Sequence, residues 1–148
     1  MKEISVRQAT ANELEWINKK YDEVKFVNSD YLNEFIVIAA IEETKVGLGR
    51  LVKIDQKNIE LGGIYVFPEF RGFGVANRIV ATLLEENPYK DCVIWCLPFE
   101  NLLRFYLGFG FKQEIKKEIP PEVNKKLEWC NTGAVYEHKV RLLCIENI

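Results

Sequence analysis

The chain holds a single histidine and four cysteines, and no two of those cysteines stand at a C-x-x-C spacing. Without a second histidine or a paired thiol motif, no metal site is expected. Charge of one sign is missing too. Twenty lysines and arginines against 22 aspartates and glutamates give a net charge of −2 and a pI near 5.6. That balance speaks against a protein that tracks nucleic-acid phosphates. The longest apolar run, Phe35 to Ile41, is far short of the roughly 20 residues that cross a bilayer, so no membrane partner is expected. Met1 to Gln8 lacks the apolar stretch of a secretory signal. The expectation is a cytoplasmic protein whose Cys92, Cys96, Cys130 and Cys144 are reduced and mostly buried. No G-x-x-x-x-G-K-[ST] occurs, which removes the phosphate loop of the nucleotide hydrolases.

What is present suits one compact domain over residues 1–148: 48% of the residues are apolar, and there are no repeats, low-complexity tracts or linkers. Ile4 to Ala9 alternates as a strand. Thr10 with Glu13 forms a capping box that opens a helix to about Lys20, with Leu14 and Ile17 inward. Tyr21 to Tyr31 is aromatic and acidic with weak periodicity. Three strands follow, Phe35 to Ile41, Val46 to Ile54 and Ile59 to Phe67, joined by Glu43-Thr44-Lys45 and Asp55-Gln56-Lys57-Asn58. Then come a helix, a strand over Asp91 to Leu97, a helix over Glu100 to Leu107, and a strand starting at Phe111 to Ile115. Pro120-Pro121 opens a short helix to about Glu128. Val135 to Ile145 reads as a long last strand containing His138. The strand–helix–strand unit around residue 80 implies a right-handed crossover and one parallel pair in a mixed sheet.

The stretch Glu60 to Glu86, ELGGIYVFPEFRGFGVANRIVATLLEE, carries the chemistry. A β-rich run ends at Phe67-Pro68, because proline donates no ladder hydrogen bond. Gly72 and Gly74 bracket Phe73, and helical periodicity starts at once. Val75, Ala76, Ile79, Val80, Leu83 and Leu84 share one face, with Asn77, Arg78, Thr82, Glu85 and Glu86 on the other. Asn87-Pro88 stops the helix. A helix that begins in a glycine loop offers unpaired N–H groups and a positive dipole end, with no β-carbons to hold a phosphate away. The dinucleotide fingerprint would need Gly or Ala at position 77, where Asn77 stands.

Arg71, Gly74 and Ala76 satisfy Arg/Gln-x-x-Gly-x-Gly/Ala, and Tyr65-Val66 with Pro68-Glu69-Phe70-Arg71-Gly72 resembles the wording YV-x-PEYRG, with Phe70 in place of its second Tyr. In these residues and in element order the chain resembles the GNAT superfamily of acetyl-CoA-dependent N-acetyltransferases. The resemblance is strong from Glu60 to Phe111, weaker in the first 35 residues and weak after Ile115, where the family builds its acceptor pocket. It implies an α/β, GNAT-like three-layer α/β/α fold with a central mixed, mostly antiparallel sheet of about seven strands. It also implies acetyl-CoA as cosubstrate, held by Ile64, Val66, Arg71, Gly72, Phe73, Gly74, Val75 and Ala76. The partner would be a small-molecule or peptide amine acceptor. The chain would act as a monomer or homodimer.

Acetyl transfer to an amine needs a neutral nucleophile, stabilisation of the carbonyl oxygen and a proton for the leaving thiolate. Gly62-Gly63, inside an otherwise β-branched strand, reads as a bulge that turns N–H groups outward, or as relief of crowding by a nearby helix. The resemblance places the N–H groups near Ile64 and Val66 at the acetyl carbonyl and pantetheine. It makes Glu60 the general base, against a solvated strand-end glutamate. It makes Tyr106, four residues before Gly110-Phe111, the general acid or a positioning donor, against an aromatic packed with Phe105 and Phe109. Phe99 stands where the family often has a pantetheine-binding Asn, and Asn101 is out of register. Arg78 and Arg104 are candidates for the 3′-phosphate. Cys96 without a base, and Trp16, Trp95 and Trp129, read as packing or pocket wall. Lys116-Lys117 and Lys125-Lys126 read as solvated faces. Asp22, Glu23, Asp30 and Glu34 hint at a cationic amine. The rival functions are a catalytically silent CoA-binding module on the same fold and an interaction protein with an empty cleft.

Overall fold

The computed structural model describes residues 3–133 and 136–146. Its strands are β1 (Ile4–Gln8), β2 (Glu34–Ile41), β3 (Thr44–Lys53), β4 (Asn58–Val66), β5 (Val93–Cys96) and β6 (Leu143–Ile145), and they hydrogen-bond in that order in one sheet. Its helices are α1 (Leu14–Glu23), α2 (Val75–Glu85), α3 (Leu103–Leu107) and α4 (Pro121–Thr132). The sheet is mixed and mostly antiparallel, with β4 and β5 parallel, as the crossover through α2 requires. Six strands against about seven expected is a small difference with a clear origin. The stretch after Phe111 contributes only a bridge from Lys112 to Cys144.

The chain divides into two compact units: Met1–Val52 with Gly63–Pro88, and Lys53–Gly62 with Tyr89–Ile148. In the first, β1 pairs with β2 from Ile4↔Ile41 to Gln8↔Val37, and β2 pairs with β3 with a register shift at Ala39/Ala40. Phe35 to Ala39 are buried on both faces of the strand, so helices must cover both sides. One face packs Ile36, Ile38 and Leu48 against Ile17 and Tyr21 of α1. On the other, a Cβ at Gly49 would lie 2.6 Å from Ile79 of α2, so the missing side chain lets that helix lie against the sheet. Thr10 N–H donates to the Glu13 carboxylate at 2.9 Å, the reciprocal half of the expected capping box, and a short 3₁₀ turn precedes α1. α1 runs on to Glu23 and buries Tyr21, a position whose local periodicity was too weak to read. The β2–β3 turn falls at Glu42-Glu43, where Glu42 takes φ 57°, so Thr44 and Lys45 already belong to β3. Thr82, expected outward, is buried on α2 and donates its hydroxyl to the Arg78 carbonyl at 2.8 Å, which satisfies it without solvent.

In the second unit, the four residues of β5 pair with Asn58 to Leu61, and β6 pairs with β5 from Ile94↔Ile145 to Cys96↔Leu143. Trp95 is fully buried, and its indole N–H donates to Asn58 Oδ1 at 2.8 Å. Val123 of α4 packs into the cluster of Val93, Trp95 and Cys144. The long last strand is corrected to Leu143–Ile145: Tyr136 to Lys139 are irregular, and Val140 makes only a bridge to Phe99. Val135, the expected start of that strand, lies outside the described residues. His138 is therefore an exposed loop residue with its ring 6.3 Å from that of Phe99. α4 continues four residues past the expected end, to Thr132, and leaves Trp129 exposed rather than walled in. All four cysteines are buried thiols. No helix among the described residues is long and apolar enough to cross a membrane.

Candidate active site

The candidate site residues fall into two groups, one in each unit. In the first unit, β4 ends at Val66 and a 3₁₀ turn over Pro68–Phe70 leads to Arg71. The Arg71 Nε–H donates to the Val66 carbonyl at 3.2 Å, which ties the loop to the strand end. Gly72 and Gly74 take φ of 85° and 83°, the left-handed region that other residues enter only at a cost. Gly74 is the N-cap of α2, and no side chain caps that end, so the first-turn N–H groups of Val75, Ala76 and Asn77 look outward. A Cβ at either glycine would meet nothing within 4 Å. The loop is thus open to close approach, and the glycines answer to backbone shape rather than to packing. Phe73 between them is about half exposed, whereas Val75 is buried.

Upstream on β4, Gly63 has φ 60° inside the strand. Its carbonyl accepts from the Tyr21 hydroxyl at 2.7 Å, and Tyr21 lies under the Arg50 guanidinium at 4.3 Å. Arg50 in turn donates to Ser29 Oγ at 2.6 Å and stands 3.7 Å from Glu34. Tyr21, Ser29 and Arg50 are all buried. This polar network braces the backbone at Gly63, and neither Tyr21 nor Arg50 was singled out from the sequence. The acidic residues expected to attract a cationic amine also accept hydrogen bonds within the chain, and Asp22, Glu23 and Asp30 remain exposed. Asp22 accepts from Asn28, Glu23 from the Tyr65 hydroxyl, Asp30 from the Leu32 N–H, and Glu34 from the Asp30 N–H.

In the second unit, Glu60 sits in β4 opposite Trp95, with its side chain only 12% exposed. Its Oε2 accepts from Lys126 Nζ of α4 at 2.7 Å. Lys126 therefore does not belong to a solvated face. It was legible in principle: Val123, Lys126, Leu127 and Cys130 recur at helical spacing, and the flanking members Val123 and Cys130 are buried. Lys125 beside it is exposed, as expected. Cys96 is buried, and burial first, then the Glu60 charge, pushes its thiol well above the ordinary range. A thiol held neutral in this way is packing, not a nucleophile. Tyr106 of α3 is buried among Phe105, at 4.9 Å between ring centroids, and Phe111, at 6.1 Å. Burial, with the neighbouring Cys96 second, pushes its phenol far up, so it stays protonated and able to donate. Phe99 packs on Tyr136 at 5.2 Å, and Asn101 is exposed. Among the described residues, no group of three or more His, Cys, Asp or Glu is placed to hold a metal ion.

Residues 4–111 match the sequence model of the Acetyltransferase (GNAT) family, and the chain belongs to that family. No curated protein matches it in sequence. Among solved structures it is similar in fold to N-acetylglutamate synthase from Neisseria gonorrhoeae complexed with coenzyme A and L-arginine. The TM-score is 0.70 at 15% identity, over 99% of this chain and 34% of that one, so the chain spans about a third of the synthase's length. A GNAT family acetyltransferase from Elizabethkingia anophelis with acetyl-CoA bound gives 0.66 at 16% identity, over 97% and 98% of the two chains. Arabidopsis thaliana Naa50 in complex with the bisubstrate analogue CoA-Ac-MVNAL gives 0.66 at 19% identity, over 97% and 99%.

Proposed function

We propose that this chain is a single-domain N-acetyltransferase that moves an acetyl group from acetyl-CoA to an amine by direct attack in a ternary complex. The observation that carries the proposal is the open loop at Gly72–Gly74 leading into an α2 N-terminus without a side-chain cap, in a member of this family. First-turn N–H groups and the helix dipole favour a pyrophosphate there, and the open glycines let its oxygens reach the backbone. Arg71, Gly72, Phe73, Gly74, Val75 and Ala76 hold the cosubstrate, with Ile64 and Val66 of β4 at its acetyl and pantetheine end. Acetyl-CoA and CoA in the similar structures support this choice of cosubstrate. Acetyl-CoA supplies an activated acyl carbon and a thiolate leaving group.

Glu60 takes the proton from the acceptor ammonium, and backbone N–H groups of β4 meet the charge that develops on the carbonyl oxygen. Tyr106 donates a hydrogen bond to the departing sulfur. A phenol pushed far up by burial gives away its proton less readily than a thiol does, so donation and positioning describe its role better than full proton transfer. The acceptor is a small-molecule or peptide amine. A CoA-binding module without catalysis is favoured by one observation, the engagement of Glu60 by Lys126.

Calorimetric titration of acetyl-CoA into the wild type and Gly74→Glu tests the site. Saturable binding to the wild type that disappears in the variant is the expected result, because the new carboxylate blocks the loop and repels pyrophosphate. A folded wild type that binds no acetyl-CoA overturns the proposal. Binding without transfer to any amine leaves only the silent module.

A further inference from the structure

A general base must lie about 2.6–3.2 Å from the group whose proton it removes. Lys126 Nζ already occupies that position, 2.7 Å from Glu60 Oε2. The contact is a primary ammonium held on the proposed base, which is the arrangement an acceptor amine must reach. It is not a deeply buried pair: the Lys126 side chain is 40% exposed, while that of Glu60 is 12% exposed. Lys126 stands at helical spacing between Val123 and Cys130, the buried residues of α4.

Resting on the acetyl-transfer reading above, we infer that Lys126 is itself an acceptor, and that the protein acetylates its own Lys126 from acetyl-CoA. Glu60 removes one proton from the Lys126 ammonium. The freed nitrogen pair forms the bond to the acetyl carbon, the carbon–sulfur bond breaks, and a second nitrogen proton passes to the departing thiolate. The products are an N-ε-acetyl-lysine and CoA. Acetylation removes the charge of Lys126 and with it the ion pair, so Glu60 is left available to an external amine.

Intact-mass and peptide mass spectrometry on the full chain incubated with acetyl-CoA and no added amine tests this. One acetyl group per chain is expected, mapped to Lys126. Its rate should be at least about 10²-fold above that at exposed Lys125, the lower end of what general-base assistance contributes, and independent of protein concentration. Glu60→Gln should reduce the Lys126 rate to that of Lys125, and Lys126→Arg should abolish the single incorporation while leaving acetyl-CoA binding intact. Binding of acetyl-CoA with Lys126 modified no faster than Lys125 overturns this inference alone. Absence of binding overturns it together with the acetyl-transfer reading.

Discussion

Replacing Gly63 by alanine strikes the point where backbone shape and buried charge meet. The residue takes φ 60°, which costs an ordinary side chain about 1–2 kcal/mol. The new Cβ would lie 2.6 Å from the Tyr21 hydroxyl and 2.7 Å from Arg50 Nε. Neither can step aside cheaply. Tyr21 is fully buried and hydrogen-bonded to the Gly63 carbonyl, and Arg50 is pinned between the Tyr21 ring and Ser29. Overpacking of this kind adds about 1–3 kcal/mol. The sum, about 2–5 kcal/mol, is a large fraction of the about 5–15 kcal/mol that holds a typical domain together. Gly72→Ala is the matched control, since φ is 85° there and nothing lies within 4 Å of the added carbon. Urea unfolding followed by circular dichroism reads the difference directly as a shift in midpoint at constant slope. Gly63→Ala should lose about 1–3 kcal/mol more than Gly72→Ala. Equal losses in the two variants would refute the idea that the Tyr21–Arg50 network defines the bend in β4.

Tyr106→Phe should lower kcat about 10- to 100-fold with little change in the KM for acetyl-CoA, as loss of one hydrogen bond to a developing charge implies. A change below about twofold would make the residue a core aromatic only. Glu13 accepts from Arg7 at 2.8 and 2.9 Å and from the Thr10 N–H, and these partners, Arg7 first, hold its carboxyl well below the usual carboxylate range. A depressed folded value means stability that is fully present above the unfolded value of about 4.3 and is lost as the pH falls below it. Urea melts should therefore show the wild type losing more stability between neutral pH and the acid side of that value than Glu13→Gln does. Parallel losses would mean the Arg7–Glu13 pair contributes nothing.

The sequence by itself determined the architecture and the Gly72–Gly74 loop, because both depend on local rules. Alternating and helical periodicities place β1 to β5 and α1 to α4 within a few residues, and the Gly72–Gly74 turn into an apolar helical face needs no distant partner to be read. The last strand failed because its pairing is tertiary. Val135 to Ile145 is β-prone, yet among the described residues of that stretch only Leu143 to Ile145 pair with β5, and β propensity without a ladder makes no strand. What only the tertiary structure decided is which charges meet. Glu60 and Lys126 are far apart in sequence, as are Tyr21, Arg50 and Gly63, and no spacing rule joins them. Glu23 gains the Tyr65 hydroxyl, 42 residues away, as a donor only on folding. A charge reads from the sequence as exposed until packing removes its water, and after that its neighbours alone determine what it does.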